Sequence, residues 1–318
     1  MQGSIFARSC GRLVVLGAIL LGPQLVYAAE PPAKPATPST APAAAEGKRF
    51  VYKKTLKGDL EIEVFFPPGW TAADQRPAIV FFFGGGWTHG NRSQFATQSR
   101  YLASRGMVAA TADYRIKSKH QATPEQSVED AKSAVRWMRS KAGELGIDPH
   151  RLAAGGGSAG GHLAASTALC PGLDAKGEDV SISSRPDALV LFNPVVDMTQ
   201  VTSYLAGTPE ERQEMAKKIS PIAYLTKDAP PAVMFFGTSD RLSTQGKAYL
   251  EKATTAGAKA ELYLADNQPH GFFNRAPWQE STLRQADQFL TSIGYLKGEP
   301  TLPAPEAKGT LKKAATEK

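Results

Sequence analysis

Residues 155–162 read Gly-Gly-Gly-Ser-Ala-Gly-Gly-His, and Ser158 at their centre is a candidate nucleophile. Gly156-x-Ser158-x-Gly160 is the pattern of a sharp strand-to-helix turn that lifts a hydroxyl above a sheet. The reason is steric: residues two positions away must be tiny, or their Cβ atoms would strike adjacent backbone. Alone the pattern is weak, because glycine-rich turns precede many helices. Here a β-rich run at 151–154 leads into it and an apolar helical stretch leads out from Leu163. The start of that helix would offer partial positive charge to an oxyanion. The rival reading, a phosphate-binding loop, lacks its lysine.

Phe81-Phe82-Phe83-Gly84-Gly85-Gly86-Trp87 sends a second apolar strand straight into three glycines. Such a loop can aim backbone N–H groups at one point, as a developing oxyanion requires. By itself it reads equally well as a flexible turn; upstream of Ser158 it reads as part of one site. A serine hydroxyl also needs a base, and the base an orienting acid. The histidines are His89, His120, His150, His162 and His270. His162 follows the nucleophile too closely and is expected to be structural. His150 lies in the turn before the nucleophile strand, and His89 and His120 precede the serine. His270, in Gln268-Pro269-His270-Gly271-Phe272, follows the last expected strand. Asp240, in Gly237-Thr238-Ser239-Asp240, is the preferred acid; the bland alternative makes it an N-cap for a helix starting near Leu242. Asp197 is the rival, and Asp266 stands in the same loop as His270.

The elements that must position these residues form an α/β pattern. Strands are expected at 60–66, 78–83, 107–112, 151–154, 188–192, 232–236 and 260–264, several of them almost continuously apolar, as in parallel strands covered on both faces. The clearest helix is 124–145, where Val128, Ala131, Val135, Met138, Ala142 and Leu145 make one stripe. Thr123 with Gln126 forms its capping box, and Pro124 starts it. Alternation of this kind implies a mostly parallel, doubly wound central sheet flanked by helices. Ser158, Asp240 and His270 all fall just past C-terminal strand ends, where open α/β sheets place their sites.

The ends of the chain read differently. Arg8, Arg12, the apolar run 13–21 and Val26-Tyr27-Ala28 suggest a secretory signal, residues 1–28, and hence a secreted or periplasmic protein. The apolar run is too short for a helix to cross a bilayer of ~30 Å, so no stable membrane insertion is expected after cleavage; an uncleaved anchor is the alternative. Residues 29–47 are expected to be a disordered Ala/Pro linker and 299–318 a disordered basic tail, leaving 48–298 as the catalytic domain. Cys10 would leave with the signal, so Cys170 cannot pair within the mature chain and is expected to be a buried small hydrophobe. The formal charge of +7 owes much to the leader and tail, and no basic stripe with interleaved aromatics indicates nucleic acid. No metal-ligand cluster or cofactor fingerprint stands out.

Phe83-Gly84-Gly85-Gly86-Trp87, Asp113-Tyr114-Arg115, Asp130, Gly156 to His162, Gly237 to Asp240 and His270-Gly271-Phe272, in that order, resemble bacterial carboxylesterases grouped with acetyl esterases and hormone-sensitive lipase. The resemblance spans residues 50–296 and is close to the branch of acetylxylan and feruloyl-type sugar-ester esterases. It implies an α/β-hydrolase fold and a serine esterase acting on a small-molecule or carbohydrate ester. Ser158 would be nucleophile, His270 general base and then acid, Asp240 its orienter. The N–H groups of Gly85, Gly86 and Ala159 would form the oxyanion hole. Trp87 and Phe272 would contact substrate, and Asp113, Arg115 and Asp130 would hold loops through ion pairs. Two positions depart from the family: Phe83 stands where a histidine is usual, and Gly157 where Asp, Glu or His is common, which would leave that turn more permissive. An N-terminal helical cap is expected to be missing, so a modest lid would come from residues 193–231, with a helix near 209–219. A prolyl-oligopeptidase-like peptidase or acyltransferase shares the fold and triad; a non-catalytic binding protein on the same scaffold is a further reading.

Overall fold

The computed structural model describes residues 46–315; the expected signal, and the linker up to residue 45, lie outside the described residues. Among the described residues nine strands form one sheet in the order β1-β2-β4-β3-β5-β6-β7-β8-β9. They are β1 (Lys48–Lys53), β2 (Leu60–Phe65), β3 (Arg76–Phe82), β4 (Val108–Ala112), β5 (Ile147–Gly157), β6 (Ala188–Phe192), β7 (Ala232–Gly237), β8 (Ala260–Ala265) and β9 (Lys312–Lys313). The inner strands β4, β3, β5, β6, β7 and β8 pair in parallel, while β1, β2 and β9 pair antiparallel at the margins.

The helices are α1 (Ala96–Ser104), α2 (Lys117–His120), α3 (Pro124–Ser140), α4 (Ala142–Leu145), α5 (Ala159–Leu169), α6 (Pro209–Lys218), α7 (Ser243–Ala256) and α8 (Trp278–Ser292). The period-two pleat explains why the central strands read as unbroken apolar runs. Ala78, Val80 and Phe82 of β3 enter one core with Val128 and Val135 of α3, Leu163 of α5 and Tyr249 of α7. Ile79 and Phe81, between them, enter a second core with Leu102 of α1 and Leu290 of α8. These two filled faces make the doubly wound arrangement of helices on both sides of a mostly parallel sheet.

The register brings the candidate residues to one end. Phe82 lies opposite Gly156 across β3 and β5, and Gly157 opposite Phe192 across β5 and β6. The triple-glycine loop and Ser158 therefore leave the sheet at the same level. Gly237 pairs with Ala265 at the ends of β7 and β8, so Asp240 and His270 leave at that end too.

Three expectations need correction. The helix expected over 124–145 breaks at Lys141 (φ −97°, ψ 14°) into α3 and α4, although Met138 and Leu145 keep the stripe buried. Strand β1 was hidden by its charges: Lys48, Arg49 and Lys53 surround Phe50, whose ring packs on Trp137 at 5.5 Å, and Tyr52, whose hydroxyl donates to the Asp113 carbonyl at 2.6 Å. The tail is ordered through residue 315. Arg284 donates to the carbonyls of Pro300 and Leu302, Thr301 N–H donates to the Tyr101 hydroxyl, Leu302 is buried, and β9 extends the sheet beside β8. Composition concealed this, because the segment adds mainly backbone bonds and one leucine to a surface built elsewhere.

The insertion 193–231 carries α6 and several short 3-10 turns and is pinned from below by His162 of α5. The His162 ring is fully buried, and its Nε2–H donates to the Ile219 carbonyl at 2.7 Å. Cys170, at the end of α5, is buried and, among the described residues, is a free cysteine. Among the described residues no helix is long and apolar enough to cross a membrane.

Removing residues 299–318 uncovers the Leu302 site and the β8 edge; about 2 kcal/mol of stability is lost, which lowers the thermal midpoint by about 5 °C, while hydrolysis of a small ester persists. An unchanged midpoint would show that the segment contributes nothing. Burial lowers the His162 pKa from 6.5 to about 4. Between those values the unfolded chain binds a proton that the folded one does not. His162 therefore leaves stability intact above pH 6.5 and removes about 3 kcal/mol as pH falls toward 4. Urea titrations across that window will show a shallower pH slope for His162→Gln than for wild type; equal slopes refute the assignment.

Candidate active site

Ser158 ends β5 and precedes α5 with φ 52° and ψ −119°, a backbone conformation that L-residues rarely adopt. Its N–H donates to the Phe192 carbonyl at 2.9 Å, and its own carbonyl accepts the His162 N–H at 3.0 Å. The glycines beside it are sterically required. A Cβ on Gly156 would lie 2.5 Å from the Phe82 carbonyl oxygen, and one on Gly160 2.0 Å from the same atom. The turn at Gly157 is not permissive, contrary to expectation: a Cβ there would lie 2.4 Å from Cζ of Phe273. The space that a larger side chain would take is filled by that ring, which stacks in turn against Phe95 and Phe192.

The structure brings Ser158, His270 and Asp240 together. His270 Nε2 is 2.8 Å from Ser158 Oγ, and His270 Nδ1 is 2.7 Å from Asp240 Oδ2. An ionised carboxylate only accepts, so Nδ1 carries the proton and the Nε2 lone pair faces the serine hydroxyl. The Asp240 side chain is 1% exposed, whereas that of His270 is 41% exposed. The acid is thus held inside the protein and the base stands at its surface. Asp240 also fulfils the alternative reading, since Oδ1 accepts the Leu242 N–H at 2.9 Å at the start of α7. That bond fixes the carboxylate plane and leaves Oδ2 for the histidine.

The other candidates are elsewhere. Asp197 caps a 3-10 turn, accepting from Thr199 N–H at 3.0 Å and from Gln200. Asp266 pairs with Lys312 of β9. His120 Nδ1 accepts the Ile116 N–H at 3.0 Å, and His150 is exposed near the start of β5. Arg115 grips Asp130 through Nε and Nη2 at 2.7 and 2.9 Å, and Asp113 pairs with Arg92. These ion pairs brace the segment after β4. Among the described residues no group of three acidic, histidine or cysteine side chains could hold a metal.

The triple-glycine loop passes directly against the serine. A Cβ on Gly84 would stand 3.4 Å from the Ser158 Cβ. Gly85 and Gly86 adopt φ 123° and 60°, and among the described residues neither N–H has a protein acceptor. The Ala159 N–H opens α5, where no earlier carbonyl of the helix can receive it. Three donors are therefore uncommitted beside one hydroxyl. Phe83, where a histidine is usual, stacks on Tyr114 at 4.1 Å, and the Tyr114 hydroxyl donates to the Phe83 carbonyl at 2.8 Å.

Trp87 and Phe272 do not face an open site. Trp87 is 2% exposed and packs edge-on against His162; Phe272, equally buried, lies in the second core against Trp278. The exposed aromatic group at the loop is Tyr204, from the insertion after β6. It is 38% exposed, lies edge-on to Trp87 at 5.2 Å, and sits so close to Gly86 that a Cβ there would be 2.9 Å from Cε1. No local pattern marks Tyr204 in the sequence, because its position depends on how the insertion folds back.

The family model described as BD-FAE matches residues 62–251, more than half of the chain. Carboxylesterase NlhH of Mycobacterium tuberculosis is 28% identical over 237 residues, covering 69% of this chain and 72% of its own. Esterase 2 of Thermogutta terrifontis, in a structure phosphorylated by paraoxon, is 40% identical with a TM-score of 0.75, covering 83% of this chain and all of its own. Its propionate-bound form is 41% identical with a TM-score of 0.75, over 82% of this chain and 98% of its own. The chain belongs to the BD-FAE family, within the hormone-sensitive-lipase-like α/β hydrolases.

Proposed function

We propose that this carboxylic ester hydrolase cleaves short-chain acyl esters, acetyl or feruloyl esters of carbohydrates among them, through an acyl-enzyme on Ser158. The observation that carries this reading is the line Ser158–His270–Asp240, with 2.8 and 2.7 Å links, on a serine strained to φ 52°. His270 Nε2 takes the Ser158 proton as Oγ adds to the ester carbonyl. The new oxyanion accepts from the Gly85, Gly86 and Ala159 N–H groups, which need no reorganisation to receive it. The buried Asp240 carboxylate stabilises the imidazolium. His270 then gives its proton to the departing alkoxide as the C–O bond breaks. Water enters and loses a proton to His270 as it adds to the acyl carbon; His270 then returns that proton to Ser158 Oγ as the acyl–oxygen bond breaks, releasing the acid.

The half-exposed His270 and the single small insertion support an alcohol side open to a bulky group such as a sugar. Tyr204, the exposed ring beside Gly86, supports a wall for either a sugar or an aryl acyl group. The propionate-bound relative supports a short acyl pocket. The basic, apolar and small-residue pattern of 1–28 supports export, to the periplasm or beyond.

Ser158→Ala lowers kcat on p-nitrophenyl acetate by on the order of 10⁴ or more, and equal rates in both proteins end the proposal. A chain-length series is expected to peak at two to four carbons, at roughly tenfold per lost fit; preference for long acyl chains sinks the substrate reading. Release of acetate from acetylated xylan, set against release of amine from peptides, separates an esterase from a peptidase.

A further inference from the structure

Two side-chain amides outside the triad connect the glycine loop to the loop that carries His270. The Gly84 N–H, at the head of the glycine loop, donates to Gln94 Oε1 at 2.6 Å. Gln94 Nε2 donates to Asn274 Oδ1 at 3.2 Å. Asn274 Nδ2 donates to the carbonyl of Gly271, the residue after the base, at 3.1 Å. The Gly271 N–H in turn donates to Oδ1 of Asn193 at 3.1 Å. Asn193 is buried, directly follows β6 and has φ 36°.

Every bond in this chain runs in the same direction, donor to acceptor, from Gly84 to Asn193. The orientation of each amide is thereby determined. Turning Gln94 over would set its NH₂ against the Gly84 N–H; turning Asn274 over would set its carbonyl against that of Gly271. Head-to-tail amides also polarise one another, so each link strengthens the next.

We propose that Gln94 and Asn274 are positioning residues: an amide relay that sets the oxyanion loop and the base loop at a fixed separation across Ser158. This rests on the catalytic reading above. Gly84 immediately precedes the proposed donors Gly85 and Gly86, and Gly271 immediately follows His270. Neither relay side chain touches the reacting atoms. The relay holds the two halves of the site in the geometry that the transition state needs, so its loss falls on kcat rather than on substrate binding.

The test is a double-mutant cycle on p-nitrophenyl acetate with the full chain: Gln94→Ala, Asn274→Ala and both together. Each single variant lowers kcat about tenfold or more and leaves KM within about twofold. The double variant loses no more than the worse single one, because one broken link already uncouples the loops. Gln94→Glu and Asn274→Asp repeat the cycle at constant side-chain size should an alanine variant fail to fold. Gln94→Glu keeps the acceptor for Gly84 but turns an oxygen toward Asn274 Oδ1, and Asn274→Asp loses the donor to Gly271; both lose kcat. Losses that multiply in the double variant, losses confined to KM, or unchanged kcat overturn the relay. Ser158→Ala is run beside them. If it retains full activity the catalytic reading fails; if it is inert while the losses multiply, only the relay fails.

Discussion

The site depends on a backbone that would not adopt its shape unaided. Ser158 stands at φ 52° and ψ −119°, a conformation that costs on the order of 1–3 kcal/mol. The strain is sustained because its neighbours are committed elsewhere. Gly157 is fixed in register against Phe192, the Ser158 N–H is spent on the Phe192 carbonyl, and α5 starts at once, its first turn closed by the His162 N–H. The approach of β5 to β3 is so close that the Phe82 carbonyl forbids any side chain at 156 or 160. Relaxing the serine would mean breaking the parallel ladder at the centre of the sheet.

From that constraint the remainder of the site follows by register. Because β3, β5, β6, β7 and β8 end together, the loops that follow them converge, and Asp240 and His270 need only short excursions to reach the serine. Local caps then adjust the angles. Leu242 N–H turns the Asp240 carboxylate, and Asn193 and Asn274 grip both sides of the Gly271 peptide.

What was legible in the sequence divides along the same line. Ser158, Asp240 and His270 could be read because each sits a short step past the end of a largely apolar strand, and the glycines around Ser158 answer to collisions that any such turn would face. Strand β1 could not be read, because Phe50 and Tyr52 alternate with Arg49, an exposed Val51 and Lys53 on an edge open to water. The tail could not, because its order comes from backbone carbonyls received by Arg284 and from a two-residue strand. Trp87 and Phe272 were placed at the site by adjacency to its motifs. Chain adjacency does not give direction, and both rings turn inward. Tyr204 was invisible for the converse reason, since it reaches the site from a separate insertion; Phe273 and Gln94 stand near the motifs, but only the packed structure shows which way their side chains turn.

The two departures from the family pattern share one physical answer. Where a histidine is usual, Phe83 stacks on Tyr114; where a carboxylate or histidine is common, Gly157 leaves room for Phe273. In both places a buried aromatic ring stands where the family commonly has a polar contact. Burial pushes the Tyr114 hydroxyl far above its ordinary pKa, so it stays protonated near neutrality and keeps its bond to the Phe83 carbonyl. The Gln94 amide, which holds Gly84, carries no titrating proton either. Phe83, Tyr114 and Gln94 thus brace the glycine loop with groups that do not change charge near neutrality. Packing supplies the stiffness that an ionisable contact would otherwise give, and in the proposed mechanism the proton transfers fall to His270 alone.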